Sequence, residues 1–227
     1  IRPTSGVARV FGIESGADPV AIHRRTGYLP GEFTLYDRLT GGQTLEYFAS
    51  LRGGVDRAYQ TSLIERFDLD PSRKFKEYSK GNKQKVGLVA ALQHRPELLL
   101  LDEPTAGLDP LVQQSFFGVL QEASANGTTT FLSSHILGEV EKTCERVAII
   151  RDGRLVKVDT VDALRDLAHH QVELRFVGEV PSAEFSALPG VSDVVVDDHV
   201  LRLRVTGGIT PVVQAAQADM TVRSPRR

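Results

Sequence analysis

The sequence lacks a long apolar segment, a pair of cysteines and an excess of charge of one sign. Its apolar runs, such as Leu98 to Leu101, are far shorter than the roughly 18 to 20 residues that span a bilayer. Cys144 is the single cysteine, so it cannot form an internal disulfide, and its apolar-periodic surroundings are typical of a core position. Lys and Arg number 27 against 29 Asp and Glu, which argues against a bulk attraction to nucleic acid or anionic lipid. We expect a protein of cytosolic character.

The composition indicates a globular protein, but both ends of the sequence look incomplete. The 227 residues are 41% hydrophobic and 25% charged, which is enough for one core and a small satellite domain. The start IRPTSG resembles the exit of a helix rather than a signal peptide, and the predicted strand Met220 to Arg223 runs directly into SPRR. We therefore expect a piece of a longer protein.

Hydrophobic periodicity predicts an α/β domain over residues 1–158, with a helical insert over about residues 40–95. The predicted strands are Gly6 to Gly12, Thr26 to Leu29, Leu98 to Asp102 and Thr129 to Ser133, and the helices after the insert are Leu111 to Ala123 and Ile136 to Thr143. Strands that read as near-continuous apolar runs and alternate with helices are typical of a parallel sheet covered on both faces.

A smaller α+β domain is predicted over residues 159–227. It follows a hairpin, Val147 to Arg151 and Leu155 to Val158, whose Asp152-Gly153 pair indicates a primed turn. After a helix at Val161 to Leu167, the predicted elements are Gln171 to Val177, Ser182 to Leu188, Val191 to Val196, Val200 to Val205, Ile209 to Ala218 and Met220 to Arg223. Their β-α-β-β-α-β order is the ferredoxin-like arrangement.

The most informative stretch is LLLLDEPTAGLDP, in which a buried strand delivers Asp102 and Glu103 together at its carboxyl end. Open parallel sheets place ligands at that end. A charged pair at the end of a core strand also occurs simply where the strand meets solvent. In phosphoryl transfer, the first carboxylate of such a pair can hold Mg²⁺, usually through water, and the second can accept the proton of an attacking water. We assign Asp102 and Glu103 to these two roles.

The stretch YSKGNKQK lies upstream, where Ser79 has the position of a helix cap. Lys80, Lys83 and Lys85 follow it at the start of the predicted helix. The positive charges of lysines there are unfavourable beside the positive end of the helix dipole. A bound polyphosphate would interact favourably with both the dipole and the lysines. The alternative is a capped amphipathic helix with solvated lysines. The pattern favours an anion site.

Four segments in this order resemble the ATPase subunits of ABC transporters. YSKGNKQK is similar to their signature motif, LLLLDEP to the Walker B strand, GLD to the D-loop and Ser133-Ser134-His135 to the switch histidine. The resemblance covers residues 1–158, and GYLP with Leu35-Tyr36 and Leu39-Thr40 is similar to the Q-loop region of drug and antibiotic exporters. The C-terminal part resembles the accessory domain of the daunorubicin-resistance-like group.

The resemblance implies a P-loop NTPase-type fold that binds ATP and Mg²⁺ and works as a head-to-tail dimer. Glu103 and His135 would be catalytic, and Asp102 would hold Mg²⁺. The signature residues Ser79, Gly81 and Asn82 would bind ATP held mainly by the opposite protomer, and Asp109 would lie at the dimer interface. The implied partners are transmembrane permease subunits and a second ATPase subunit, at the cytoplasmic face of the cell membrane; no nucleic acid partner is expected.

The sequence departs from the family pattern at three places. Gly31 stands where the Q-loop usually has glutamine, and Lys80 and Asn82 replace a common glycine and a common glutamine of the signature. No G-x-x-x-x-G-K-[ST] occurs, and the nearest lookalike, Gly138 to Thr143, lacks the second glycine. IRPTSG is similar to the segment that follows the family's Walker A helix, so truncation explains the loss better than divergence.

Two other interpretations remain open from the sequence. One is a soluble ABC ATPase that acts on nucleic acid or ribosomes; long coiled-coil inserts or a second ATPase cassette would favour it, and the sequence shows neither. The other is a non-catalytic regulatory module that lost the phosphate-binding loop by evolution. An upstream, in-frame G-x-x-x-x-G-K-[ST] would exclude it.

Overall fold

The computed structural model describes residues 4–33, 37–163, 169–207 and 209–219. The contacts divide the chain into two compact units, Ile1–Thr143 and Cys144–Arg227. The division falls earlier along the chain than residue 158, and the domain bounds 1–158 and 159–227 stay a prediction. The expectations for Leu35-Tyr36 and for the strand Met220 to Arg223 lie outside the described residues.

The first unit alternates strands and helices. Its elements are β1 Arg9–Val10, β2 Ile13–Glu14, α1 Pro19–Arg25, β3 Thr26–Leu29, α2 Gly41–Ser50, α3 Arg57–Arg66, a 3₁₀ turn Phe75–Glu77, α4 Lys80–Leu92, β4 Leu98–Asp102, α5 Pro110–Ala125, β5 Thr129–Ser133 and α6 Leu137–Thr143. The predicted strand Gly6 to Gly12 is instead a short antiparallel ribbon, β1-β2, which reverses at Phe11 and Gly12, both with positive φ. Helix α1, capped by Asp18, was not predicted.

Strands β3, β4 and β5 form a parallel sheet, as predicted, with β4 in the centre. On one face, Leu29, Leu99 and Leu101 are buried. The prediction of cover on both faces is wrong for the described residues. On the opposite face, Tyr28, Leu100 and Phe131 stand in one row across the three strands, and Tyr28 and Phe131 are 59% and 66% exposed.

Helix α4 brings the signature residues to the edge of this core. It is buried from Gln84 to Leu92. It approaches β3 closely because both elements have glycine at the contact: a Cβ on Gly27 would lie 2.1 Å from the carbonyl oxygen of Ala91, and one on Gly87 would lie 2.5 Å from a Leu29 methyl. The buried part of α4 therefore fixes where its first turn lies relative to the sheet.

The second unit contains a hairpin and a three-stranded antiparallel sheet. Its elements are β6 Arg146–Arg151, β7 Arg154–Thr160, β8 His169–Arg175, α7 Ser182–Ser186, β9 Val191–Asp197, β10 Val200–Thr206 and α8 Thr210–Asp219. Asp152 and Gly153 both have positive φ, as the predicted primed turn requires. The sheet order β8-β10-β9 agrees with the ferredoxin-like prediction as far as α8. No helix among the described residues is both long and apolar enough to cross a membrane.

Candidate functional site

Asp102, Glu103 and Ser133 meet at the carboxyl ends of β4 and β5. Asp102 is the register partner of Ser133, whose Oγ donates a hydrogen bond to Asp102 Oδ1. The backbone N–H of Glu103 donates to the carbonyl oxygen and to Oγ of Ser133, both at 3.2 Å. Glu103 has a φ of 47°, a left-handed conformation that turns the chain sharply at the end of the strand. The two predicted carboxylates are therefore held at the ligand-binding edge of the sheet.

His135 completes this cluster. Its Nδ1 lies 2.9 Å from both carboxylate oxygens of Glu103. The His135 side chain is 79% exposed and that of Glu103 is 32% exposed, so the pair faces outward from the protein. The hydrogen bond that His135 Nδ1 donates to the Glu103 carboxylate, together with the negative charge of that carboxylate, raises the pKa of His135 above its ordinary value. The pair therefore favours an imidazolium beside the candidate catalytic carboxylate.

Gly31 lies against the second oxygen of Asp102. A Cβ at position 31 would be 2.9 Å from Asp102 Oδ2, so a larger residue would require the carboxylate to move. Among the described residues, no group of three or more His, Cys, Asp or Glu could hold a metal ion. A single carboxylate nevertheless fits Mg²⁺, which proteins often bind through one or two carboxylates while water and substrate phosphates supply the other ligands.

The signature residues lie at the first turn of α4, packed against the loop that follows Glu103. Ser79 Oγ accepts a hydrogen bond from Asn82 N at 3.2 Å and caps the helix as predicted. A Cβ on Gly81 would lie 2.2 Å from the carbonyl oxygen of Gly107, so only glycine permits this approach without a shift. Gln84 Nε2 donates to the carbonyl oxygens of Glu103 and Pro104 at 3.0 and 3.2 Å.

The expectation that three lysines mark an anion site is wrong for Lys85, and for Lys80 and Lys83 it stays a prediction. Lys83 Nζ lies 5.3 Å from the centroid of the Phe75 ring. Lys85 is only 7% exposed, and its Nζ donates to the carbonyl oxygen of Asp68 at 3.1 Å. A tertiary contact therefore draws Lys85 into the core, and of the three lysines only Lys80 is exposed.

Asp109 has a structural role that the sequence resemblance did not give it. Its Oδ1 accepts hydrogen bonds from Leu111 N and Val112 N at 3.1 and 3.0 Å and so caps α5. These bonds, the one from Val112 first, lower the pKa of the Asp109 carboxyl, and the positive charge of Lys85 acts in the same direction. The capping geometry leaves its assignment to a dimer interface a prediction.

The structure thus brings together Asp102, Glu103 and His135 and holds Ser79, Gly81 and Asn82 at a separate helix end. In the part of the chain that the structure describes, no hydrogen bond joins the Ser79 or Asn82 side chains to the carboxylates. Sequence reasoning missed the contacts made by Gln84, Thr105, Ser134 and Glu139. The only available signal was that these polar residues lie inside or beside the recognised motifs.

Replacing Gly81 by alanine is expected to lower the free energy of unfolding by about 1–3 kcal/mol, because the new methyl group would overlap the Gly107 carbonyl oxygen. Gly138→Ala is the matched control, since a Cβ there meets nothing within 4 Å and alanine favours the helix. Thermal and denaturant unfolding of both variants provide the measurement. Equal stability of the two variants would contradict the tight contact between α4 and the loop.

Comparison with known proteins identifies one matching family profile and several relatives that cover most of the chain. The profile of a family described as "AAA domain, putative AbiEii toxin, Type IV TA system" matches residues 18–141. The bacitracin transport ATP-binding protein BcrA of Enterococcus faecalis is 32% identical over 205 residues, covering 88% of this chain and 67% of that protein. The daunorubicin resistance ATP-binding protein DrrA3 of Streptomyces coeruleorubidus is 32% identical over 243 residues, covering 99% of this chain and 77% of that protein.

A solved structure shows the same relationship in three dimensions. An ATP-binding subunit of an ABC transporter superposes with a TM-score of 0.67 at 32% sequence identity, covering 73% of this chain and 71% of that one. The chain belongs to the family of ABC transporter ATP-binding proteins.

Proposed function

We propose that this chain is part of an ATP-hydrolysing subunit that powers an ABC-type membrane exporter. The observation that carries the proposal is the Glu103–His135 pair, 2.9 Å apart, beside Asp102 at the carboxyl ends of two parallel strands. A carboxylate that can take a proton, a histidine that can contact a phosphate and a second carboxylate suited to Mg²⁺ are the groups that phosphoryl transfer to water requires.

In the proposed reaction, Glu103 accepts a proton at a carboxylate oxygen from a water that attacks the γ-phosphorus of ATP. The bond between that phosphorus and the bridging oxygen breaks, and ADP and phosphate form. His135 donates a hydrogen bond to the γ-phosphate, and its raised pKa favours the charged form that binds an anion. When bound, Mg²⁺ would neutralise phosphate charge, and Asp102 would hold it through water.

The signature residues act on the ATP of a second subunit in this proposal. Ser79, Gly81 and Asn82 lie at the start of α4, and among the described residues their side chains form no hydrogen bond to Asp102, Glu103 or His135. A head-to-tail dimer would bring them to the γ-phosphate held by the other protomer, with Asp109 at the interface. The dimer would close when ATP binds and reopen after hydrolysis, and this movement would transmit work to the permease.

The proposed partners are transmembrane permease subunits and a second ATPase subunit, and the proposed location is the cytoplasmic face of the cell membrane. Support comes from the relatives, whose names refer to bacitracin transport and daunorubicin resistance. We infer a drug-like or antibiotic-like substrate on the same ground. The alternative of a soluble ATPase acting on nucleic acid is not favoured, since these relatives are transport and resistance proteins.

Ser79→Arg is expected to abolish ATP-driven dimerisation in a form of the protein that carries a G-x-x-x-x-G-K-[ST] loop before Ile1. The arginine would occupy the place of the partner's γ-phosphate, whereas Ser79 only caps α4 in the isolated chain. Sedimentation velocity with and without Mg-ATP measures the dimer. Ser186→Arg, at an exposed serine of the second unit, should dimerise normally. An unchanged ATP-dependent dimer in Ser79→Arg would contradict the shared-site proposal.

A further inference from the structure

A buried carboxylate outside the recognised motifs connects the two loops of the candidate site. Glu139, in the first turn of α6, is only 8% exposed. Thr105 Oγ1 donates to Glu139 Oε1 at 2.7 Å, and Ser134 Oγ donates to Glu139 Oε2 at 2.8 Å. Each carboxylate oxygen therefore holds one hydroxyl group from a different loop.

The two hydroxyl groups belong to the segments that carry Glu103 and His135. Thr105 lies two residues after Glu103 in the loop following β4, and Ser134 directly precedes His135. Ser134 Oγ also accepts a hydrogen bond from Ile136 N at 3.0 Å, which fixes the backbone on the other side of His135. The side chain of Glu139 thus spans from one catalytic loop to the other.

Glu139 is a buried carboxylate held by hydrogen bonds, unlike an apolar residue that only fills space in the core. Burial of a carboxylate is costly unless the charge is paired or hydrogen-bonded. In the described part of the chain, no Lys or Arg forms an ion pair with Glu139, and the two hydroxyl groups are the partners of its oxygens. Hydrogen bonds to a charged acceptor are short and strong, and they are strict in geometry. Such bonds hold the two loops at a defined separation.

We propose that Glu139 is a positioning residue that fixes the distance between Glu103 and His135 by clamping Thr105 and Ser134. The inference rests on the proposed function for its meaning, because the two clamped loops carry the proposed general base, Glu103, and the proposed γ-phosphate ligand, His135. Glu139 itself touches neither of them by a hydrogen bond. It acts through the loops.

NMR of the histidine side chains in the 227-residue chain tests the clamp without ATP. The chain has 6 histidines, and a His135→Gln variant identifies the His135 signals. The ¹⁵N shift of Nδ1 reports its hydrogen bond to Glu103, and the titration curve reports the raised pKa of His135. Glu103→Gln removes the partner and so defines how far both readouts move when the pair is lost.

Thr105→Val is the decisive variant. The charge of Glu139 itself raises the pKa of His135 slightly, so Glu139→Gln changes the readout for two reasons at once. Thr105→Val keeps that carboxylate in place and removes only the hydroxyl on the opposite loop. We expect it to move the Nδ1 shift and to lower the pKa of His135 through most of the range set by Glu103→Gln. Ser134→Ala should act in the same direction.

Thr143→Val is the matched control, since its hydroxyl donates to the backbone carbonyl oxygen of Glu139 at 2.7 Å rather than to the side chain. It should leave His135 unchanged. If Thr105→Val lowers the melting temperature but leaves the Nδ1 shift and the pKa of His135 unchanged, Glu139 has only a structural role and the proposal is overturned. A further outcome is that Thr105→Val changes the Nδ1 shift and the pKa of His135 while the protein with an added phosphate-binding loop does not hydrolyse ATP. In that case the clamp is supported and the proposed function is wrong.

Discussion

Glu103→Gln is expected to lower ATP turnover by about 10²-fold or more while ATP binding persists, in a form of the protein that carries a G-x-x-x-x-G-K-[ST] loop before Ile1. Glutamine has the size of glutamate but cannot accept a proton from the attacking water. The side chain is partly exposed, and its backbone N–H is anchored to Ser133, so the substitution should not alter the fold. Binding would persist because the phosphate-binding loop holds the nucleotide.

Phosphate release under saturating Mg-ATP, together with an equilibrium binding measurement, separates these two effects. Glu184→Gln, at an exposed position of the second unit, controls for the loss of one negative charge. Glu103→Gln should also lower the pKa of His135, because the hydrogen bond that His135 donates to the Glu103 carboxylate is the main cause of its rise. Turnover within a few-fold of the unmodified protein would remove Glu103 from the role of general base.

Local patterns predicted the elements that position the site. The run LLLLD has one physical interpretation, a buried strand with a charged end, and β4 occupies Leu98–Asp102 as predicted. Asp152-Gly153 determines its turn because both residues tolerate positive φ. Ser79 caps α4 as predicted, and the cap that Asp109 forms on α5, which was not predicted, is likewise a property of the residues that immediately follow it. These features are local in sequence, so sequence reasoning can find them.

The missed features depend on residues far apart in the chain. Lys85 reaches the carbonyl oxygen of Asp68, and no spacing rule predicts that a lysine at a helix start becomes buried. The contact between Gly81 and Gly107 and the clamp at Glu139 both require the tertiary fold that brings separate loops together. The exposure of Tyr28 and Phe131 is likewise a property of the assembled sheet. Periodicity identifies apolar residues but not the element that packs on them.

The 227-residue chain by itself is expected to bind Mg-ATP at least several orders of magnitude more weakly than a form with an added phosphate-binding loop. In P-loop enzymes the backbone N–H groups and the lysine of that loop hold the phosphates, and its Ser or Thr ligates Mg²⁺. No G-x-x-x-x-G-K-[ST] occurs in these residues. Several charge-assisted hydrogen bonds are lost, each contributing roughly 1.5 to 3 kcal/mol, and every ~1.4 kcal/mol changes affinity tenfold.

The groups that remain cannot compensate for that loss. Asp102 and Glu103 repel a triphosphate unless Mg²⁺ lies between them, and the exposed His135 supplies one hydrogen bond. The apolar row of Tyr28, Leu100 and Phe131 should in addition make the isolated chain prone to self-association. Calorimetry of the monomer fraction with Mg-ATP is the measurement, and the form with the added loop, under the same conditions, is the positive control. Micromolar binding with measurable phosphate release by residues 1–227 alone would contradict this prediction and would show that these residues contain a phosphate-binding site other than a G-x-x-x-x-G-K-[ST] loop.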